Sequence, residues 1–331
     1  MTTGWAMRVL AVLAVVAALG WCGYWFIGAR ALDSAITSGL VAAQDAGAEV
    51  STEGHVIRGF PNRFDVTFDA PRVASEGIAW SAPFVQFFAL SYRLNHLIAV
   101  FPHDQRLTVF GHEALVHSED MRASLVAEAG RDLPLERIAL VGQQLEVMVN
   151  GQTHQIDGLR AASRRIAPRE HQISVLLETL IPDQPLMERE DPQRLYPRFF
   201  DVLRLDAEVE FDRAIDRHLI GGAEPRLTRL SLTGGRAAWT GTDITASGNL
   251  TPGMDGRLSG DVLVTVTGWR ALVDLARAAG VMPAEHDALI VMALQGLVAP
   301  DNPERIEAGF SVRDGAVWLG PIQVGQLPPL W

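Results

Sequence analysis

The sequence predicts an α+β fold, in which an N-terminal transmembrane helix precedes a mostly antiparallel, curved β-sheet domain with a few covering helices. Two observations predict the helix and the sheet. Residues Val9 to Ala29 are 21 uncharged, mostly apolar positions bracketed by Arg8 and Arg30. At about 1.5 Å of rise per residue such a helix spans ~32 Å, the thickness of a bilayer's hydrocarbon core. Beyond residue 48, short runs with period-two alternation follow one another, punctuated by Gly, Pro and Asn. Two-residue turns between such runs join neighbours directly, which makes the pairing antiparallel.

At the C-terminal end of the apolar run Trp21, Tyr24 and Trp25, with Phe26, crowd the level where amphipathic rings favour the membrane–water interface. A cleaved signal peptide is the rival reading, but its core is about 7–15 residues with small residues before the cut. Here the run is longer and aromatic at that place. Ala29-Arg30-Ala31 is a poor cleavage site, so the anchor is read as retained and its cleavage stays open. A lipoprotein is not expected, because Trp21 rather than a small residue precedes Cys22.

The expected organisation is a cytoplasmic tail (1–8), a transmembrane anchor (9–29), a helix leaving the membrane (30–47) and a periplasmic α+β domain (48–331), with a possible subdivision near 160–205. Orientation follows from charge: the tail holds Arg8 and no acidic residue, whereas Asp33, Asp45 and Glu49 follow the anchor. Arg30 blunts that bias. A single-pass protein of the bacterial inner membrane, with the bulk of the chain in the periplasm, is the expected location.

Composition narrows the partners. The formal net charge is −11, and an acidic domain gains nothing from phosphate backbones, so nucleic acid is not an expected partner. Cys22 is the one cysteine and lies inside the anchor, leaving none for a disulfide outside it. With 48% hydrophobic residues the remainder can be held by its core alone. All 28 basic residues are arginine, which reads as codon bias in a GC-rich bacterial genome.

Taken in order, Leu32, Ile36, Leu40 and Val41 continue the helix out of the membrane. Val50 to Ile57 reads as a strand, Gly59-Phe60-Pro61 as a turn, and Phe64, Val66 and Phe68 alternate with Asp65, Thr67 and Asp69. Ile78 to Phe101 is broken by Pro83, Gln86, Arg93, Asn95 and His96 and reads as two buried strands rather than a second span. Leu107 to Val116 is expected as one further strand. Asn150-Gly151 joins Leu145–Val149 to Gln152–Ile156 as a type I′ hairpin. Over 160–205 the spacing of Ile173, Leu176, Leu177 and Leu180 predicts a helix, and Asp191-Pro192 opens another. Strands resume at Ala207–Phe211 and Leu227–Leu232, Gly234-Gly235 is read as a turn, and Ile244–Leu250 and Leu258–Val266 continue the meander. Helices over 269–279 and 283–298 precede a last hairpin turned at Asp314-Gly315.

Several segments resemble the family of bacterial, chiefly alphaproteobacterial, envelope proteins called domain of unknown function 2125. They are Trp21-Cys22-Gly23-Tyr24-Trp25-Phe26, Gly59-Phe60-Pro61 with Arg63 and Phe64, Ala82-Pro83-Phe84 with Gln86, Leu258 to Val264, and Gly315 to Gly325 before Leu327-Pro328-Pro329-Leu330. No activity comes with that resemblance. The ending also looks like AsmA-type envelope proteins, whose curved sheets form grooves implicated in moving lipids; a long sheet with one apolar face must either cover that face with helices or leave it for a hydrophobic ligand.

Candidate chemistry is sparse. His103-Asp104, His112-Glu113 and His117 lie close in sequence, but five residues along a strand place His112 and His117 on opposite faces. Ser231 and Ser247 lack a Gly-x-Ser-x-Gly elbow, and Gly221-Gly222 and Gly234-Gly235 lack phosphate-loop spacing. Arg160, Arg164, Arg165 and Arg169 form the densest basic cluster, which reads first as a solvated helix face and alternatively as a contact for anionic lipid headgroups. No catalytic residue, metal site or cofactor is therefore expected. The expected apolar groove is built from Phe64, Val66, Phe68, Phe84, Phe88, Val262, Val264 and Val266. The function expected is a non-enzymatic protein that binds or helps move a lipid; the alternative is an envelope scaffold or assembly factor working through protein contacts.

Overall fold

The computed structural model describes residues 3–75, 77–185, 188, 198–221, 225–278 and 287–331. Helix α1 (Thr3–Asp45) runs unbroken for 43 residues, ~65 Å at the usual rise, and so unites the expected anchor with the expected helix beyond it. It is long and apolar enough to cross a membrane, and its first half is exposed.

The strands form one large, curved antiparallel sheet in which sequence neighbours are sheet neighbours. Its first strands are bent in two. β1 (Glu49–Ser51) and β2 (Gly54–Arg58) pair with β4 (Arg72–Ser75) and β3 (Arg63–Asp69). β5 (Ile78–Ser81) and β6 (Phe84–Leu90) then pair with β8 (Asp104–Val109) and β7 (Arg93–Val100). The bends fall at Pro71, Pro83 and Pro102, which have no N–H to give to the ladder. Adjacent bends are tied together, Ala70 N donating to Pro83 O at 2.8 Å and Ala82 N to Pro71 O at 3.2 Å. β9 (His112–Ala127) spans both halves, pairing with β8 and then β7.

From there the meander continues through β10 (Leu135–Val149), β11 (Gln152–Ala167), β12 (Glu170–Ile181), β13 (Phe200–Phe211), β14 (Leu227–Trp239), β15 (Thr242–Pro252) and β16 (Leu258–Thr267). Helices α2 (Trp269–Ala278) and α3 (Asp287–Gln295) follow. The short β17 (Val298–Ala299) and then β18 (Asn302–Arg313), β19 (Ala316–Leu319) and β20 (Ile322–Gln326) complete the sheet.

Residues opposite one another in antiparallel strands share a face, so the register sorts the two sides. One row reads Val66, Phe87, Ala99, Ala123, Leu140, Ala161, Val175, Leu205, Gly235, Ala246, Val264, Ala308. It contains no polar side chain. The next row, on the other face, reads Thr67, Gln86, Val100, Arg122, Val141, Arg160, Leu176, Arg204, Arg236, Thr245, Thr265, Glu307. The sheet thus has an apolar face and a wet face.

Both ends of the apolar face are covered. α1 lies over the first strands, where the Trp25 ring stacks on Phe64 at 5.7 Å, His55 Nε2 meets Asp33 Oδ1 at 2.7 Å and Gln44 Nε2 donates to Val50 O at 2.7 Å. At the other end Trp269 and Val273 of α2 bury Val266 and Ile306, with Val291 and Leu294 of α3 packed alongside.

Several elements differ from the sequence expectation. Residues 173–180 form strand β12, not a helix. Thr179 has φ 49° and, like Asp157 and Asp201 opposite it, is missing from both ladders, which resume in unchanged register at Leu180. Apolar residues at both parities of the strand, Ile173 and Leu177 with Leu176 and Leu180, imitate helical spacing, and the same strand geometry removes the expected helix face at Arg160–Arg169, which belongs largely to β11. Leu107–Val116 is not one strand but a hairpin turned at Phe110-Gly111, with φ 47° and 84°. Gly234-Gly235 lies inside β14 beside a register shift. The helix expected after Asp191-Pro192 falls outside the described residues. Asn150-Gly151 and Asp314-Gly315 turn as expected, with φ 53° and 78°, and 48° and 80°.

Candidate apolar groove

The three aromatics expected at the membrane interface form a joint between α1 and the sheet. Trp21 Nε1 donates to Pro61 O at 2.9 Å, the Tyr24 hydroxyl to Ser91 O at 2.6 Å and Trp25 Nε1 to Arg63 O at 2.7 Å. Their acceptors lie in or beside the β2–β3 and β6–β7 turns, so the helix is fixed to the turn-bearing end of the sheet. Trp21 and Tyr24 remain substantially exposed, but Trp25 is only 7% exposed; it is core of the joint and not an interfacial ring.

Between the joint and the α2–α3 cap the apolar face lies open. A cavity of about 840 Å³ occupies its turn-bearing end, lined by Leu97, Leu125, Leu135 and Ile138 from the strands, Leu133 from a loop, Leu219 from a 3-10 helical turn (Arg217–Gly221), and Tyr24 from α1. The loops are knitted together: Leu135 N donates to Ile215 O at 2.8 Å and Arg217 N to Asp132 O at 3.1 Å. Farther along the same face a shallower cavity of about 380 Å³ is floored by Val175, Leu177, Leu203, Leu205, Ala237 and Ile244. Leu125, Ile138 and Leu205 are 37%, 38% and 45% exposed, high values for the middle of an apolar sheet face.

The residues expected to form a groove are placed differently. Phe64, Val66 and Phe68 are on the apolar face, but at its covered margin; Phe64 is sealed under Trp25 and Gly28. Val264 and Val266 pack beneath α2 and α3, and Val262 joins Leu250, Leu258, Val312 and Leu327. Phe84 and Phe88 belong to the opposite, wet face, because they pair with Asp69 and Asp65; the Arg63 guanidinium lies 5.8 Å from the Phe88 ring centre. Sequence reasoning missed Leu97, Leu125, Ile138 and Leu205. Their alternation is visible, but which part of an apolar face stays uncovered depends on where distant helices land.

A family model described as "Uncharacterized protein conserved in bacteria (DUF2125)" matches residues 25–328. The chain belongs to the DUF2125 family. No curated protein and no solved structure matches it. The matched span takes in Trp25 of the joint, the whole sheet and the α2–α3 cap.

Two histidines of this DUF2125 chain meet polar partners on the sheet. His117 Nδ1 meets Asp104 Oδ1 at 2.7 Å, and that hydrogen bond raises the His117 pKa despite partial desolvation; its ring stacks on His103 at 6.1 Å. His112 sits by the turn, opposite Val109, and no group of three metal-ligating side chains occurs among the described residues. Ser163 Oγ and His171 Nδ1 lie 3.1 Å apart on the apolar face. His171 is 1% exposed, and burial first, then the charge of Arg165, lowers its pKa. A nucleophile pair needs access to substrate, which a group so enclosed lacks.

Proposed function

We propose that this DUF2125 protein is a non-enzymatic protein of the inner membrane whose periplasmic sheet binds the apolar chain of a lipid and supports lipid traffic in the envelope. The supporting observation is the open middle of the apolar face, with its larger cavity beside Tyr24. Burying an aliphatic side chain is worth roughly 1.5–3 kcal/mol, so a stripe left in water favours an apolar occupant. The cavity lies within the ~300–1,000 Å³ usual for ligand sites. Orientation rests on Arg8 before the anchor and the acidic residues after it.

Titration of the full chain, held in an amphipathic polymer without detergent, with a fluorescent fatty acid tests this. The double variant Ile138→Gln and Leu205→Gln should bind at least tenfold more weakly with its melting temperature kept; equal binding would contradict the proposal. A scaffold role has one supporting observation, since β20 is an exposed edge with Ile322 63% and Val324 51% accessible and open to strand addition. On that reading Val324→Pro would abolish function in cells while leaving fatty-acid binding intact.

A further inference from the structure

We propose that the turn-bearing end of the sheet is itself seated in the interfacial layer of the membrane that α1 enters, as a second lipid contact beside the anchor. The joint sets its height. Trp21, bonded to the β2–β3 turn, stands eight residues before the end of the apolar run at Ala29, about 12 Å along the helix. If the apolar run fills the bilayer core, turns fixed at that level cannot stand clear of the lipid, and three hydrogen bonds keep them there.

The side chains at this end fit that position. Phe60, Tyr92, Leu94, Leu133 and Leu219 are exposed, Tyr92 and Leu94 by 66% and 61%, on turns adjoining the joint and the mouth of the larger cavity. Exposed aromatic and aliphatic side chains beside an anchor are the composition of an interfacial contact. Arg93, Arg131 and Arg217 accompany them with no ion pair among the described residues, whereas Asp132 faces His218 at 3.6 Å, Asp216 accepts the His218 N–H and Glu128 is bridged to Arg165. Free guanidinium groups at that level suit lipid phosphate. The far end of the same strands turns on Asn150-Gly151 and Thr240-Gly241, with Ile78, Phe110, Met148 and Phe199 its exposed large apolar side chains.

This inference rests on α1 crossing a membrane and not on what fills the groove, so it stands or falls separately from lipid binding. Full-length protein with Cys22→Ser would carry a single new cysteine, Tyr92→Cys, Leu133→Cys or Phe110→Cys, labelled with bimane and reconstituted into vesicles of phosphatidylcholine and phosphatidylglycerol. The chain path from Tyr92 to Phe110 along the bent β7–β8 strand is ~59 Å. Brominated acyl chains should quench the labels at 92 and 133 at least twofold and leave the label at 110 unchanged. Labels at all three sites equally insensitive to bromine would overturn the proposal. So would protection at 92 and 133 that depends on protein density and not on bromine, because a second copy would then be the occupant.

Discussion

Gly28 of α1 and Phe64 of β3 approach so closely that a Cβ on the glycine would stand 2.9 Å from the phenyl Cζ. Phe64 is 3% exposed and also stacks with Trp25 of the same helix, so the ring has little room to yield. Any side chain at 28 must displace the Phe64 ring or the helix above it.

Gly28→Ile is therefore expected to destabilise the folded domain by about 1–3 kcal/mol, the usual cost of overpacking. Thermal unfolding of the full chain in detergent micelles measures it. An unchanged midpoint would mean that α1 does not pack on the sheet in this way.

Core and groove residues of the one apolar face should separate by mutation. Val264→Asp puts a carboxylate beneath the α2–α3 cap among Val266, Trp269 and Ile306, and should cost several kcal/mol or prevent folding. Leu205→Asp, on the open stretch, should leave the urea midpoint near that of the parent while weakening fatty-acid binding. Similar losses of stability in both would show that the middle of the sheet is covered as well.

Two histidines give opposite pH dependences. His171 has its pKa lowered from 6.5, so the folded state takes up fewer protons than the unfolded one. Its contribution is neutral above about pH 6.5 and turns against folding as pH falls below it. His117 has its pKa raised from 6.5 by Asp104, and its small contribution is present below about pH 6.5 and lost as pH rises through the folded value. His171→Asn should flatten the loss of stability between pH 7.5 and 5.5 in urea titrations, whereas His117→Asn should steepen it slightly. A steeper acid loss in His171→Asn would reverse the assignment.

The legible parts of the fold were those with local causes. The apolar run of α1, the I′ turns at Asn150-Gly151 and Asp314-Gly315, and the helices near Trp269 and Asp287 each follow from residues close in sequence. Strand β12 was hidden because Leu176 and Leu180 add apolar residues at the parity opposite to Ile173, Val175 and Leu177, and nothing in the side chain of Thr179 announces its left-handed backbone. Phe84 and Phe88 show the second limit, because their alternation is plain but only pairing with Asp69 and Asp65 assigns them a face. The groove itself was legible as an apolar face without a full cover, yet not at Phe64 or Val264. Those positions are sealed by Trp25 and Trp269, partners remote in sequence.

Photocrosslinking from within the bilayer tests the central claim most directly. Full-length protein reconstituted with a phospholipid bearing a diazirine near the end of one acyl chain would be irradiated, digested and mapped by mass spectrometry. Adducts on Leu97, Leu125 or Ile138 of the larger cavity, reduced in the Ile138→Gln variant, are the result expected if an acyl chain leaves the membrane past Tyr24 and lies on the apolar face. Adducts confined to the exposed positions of α1 between Trp5 and Gly20, with none on the sheet, would contradict it.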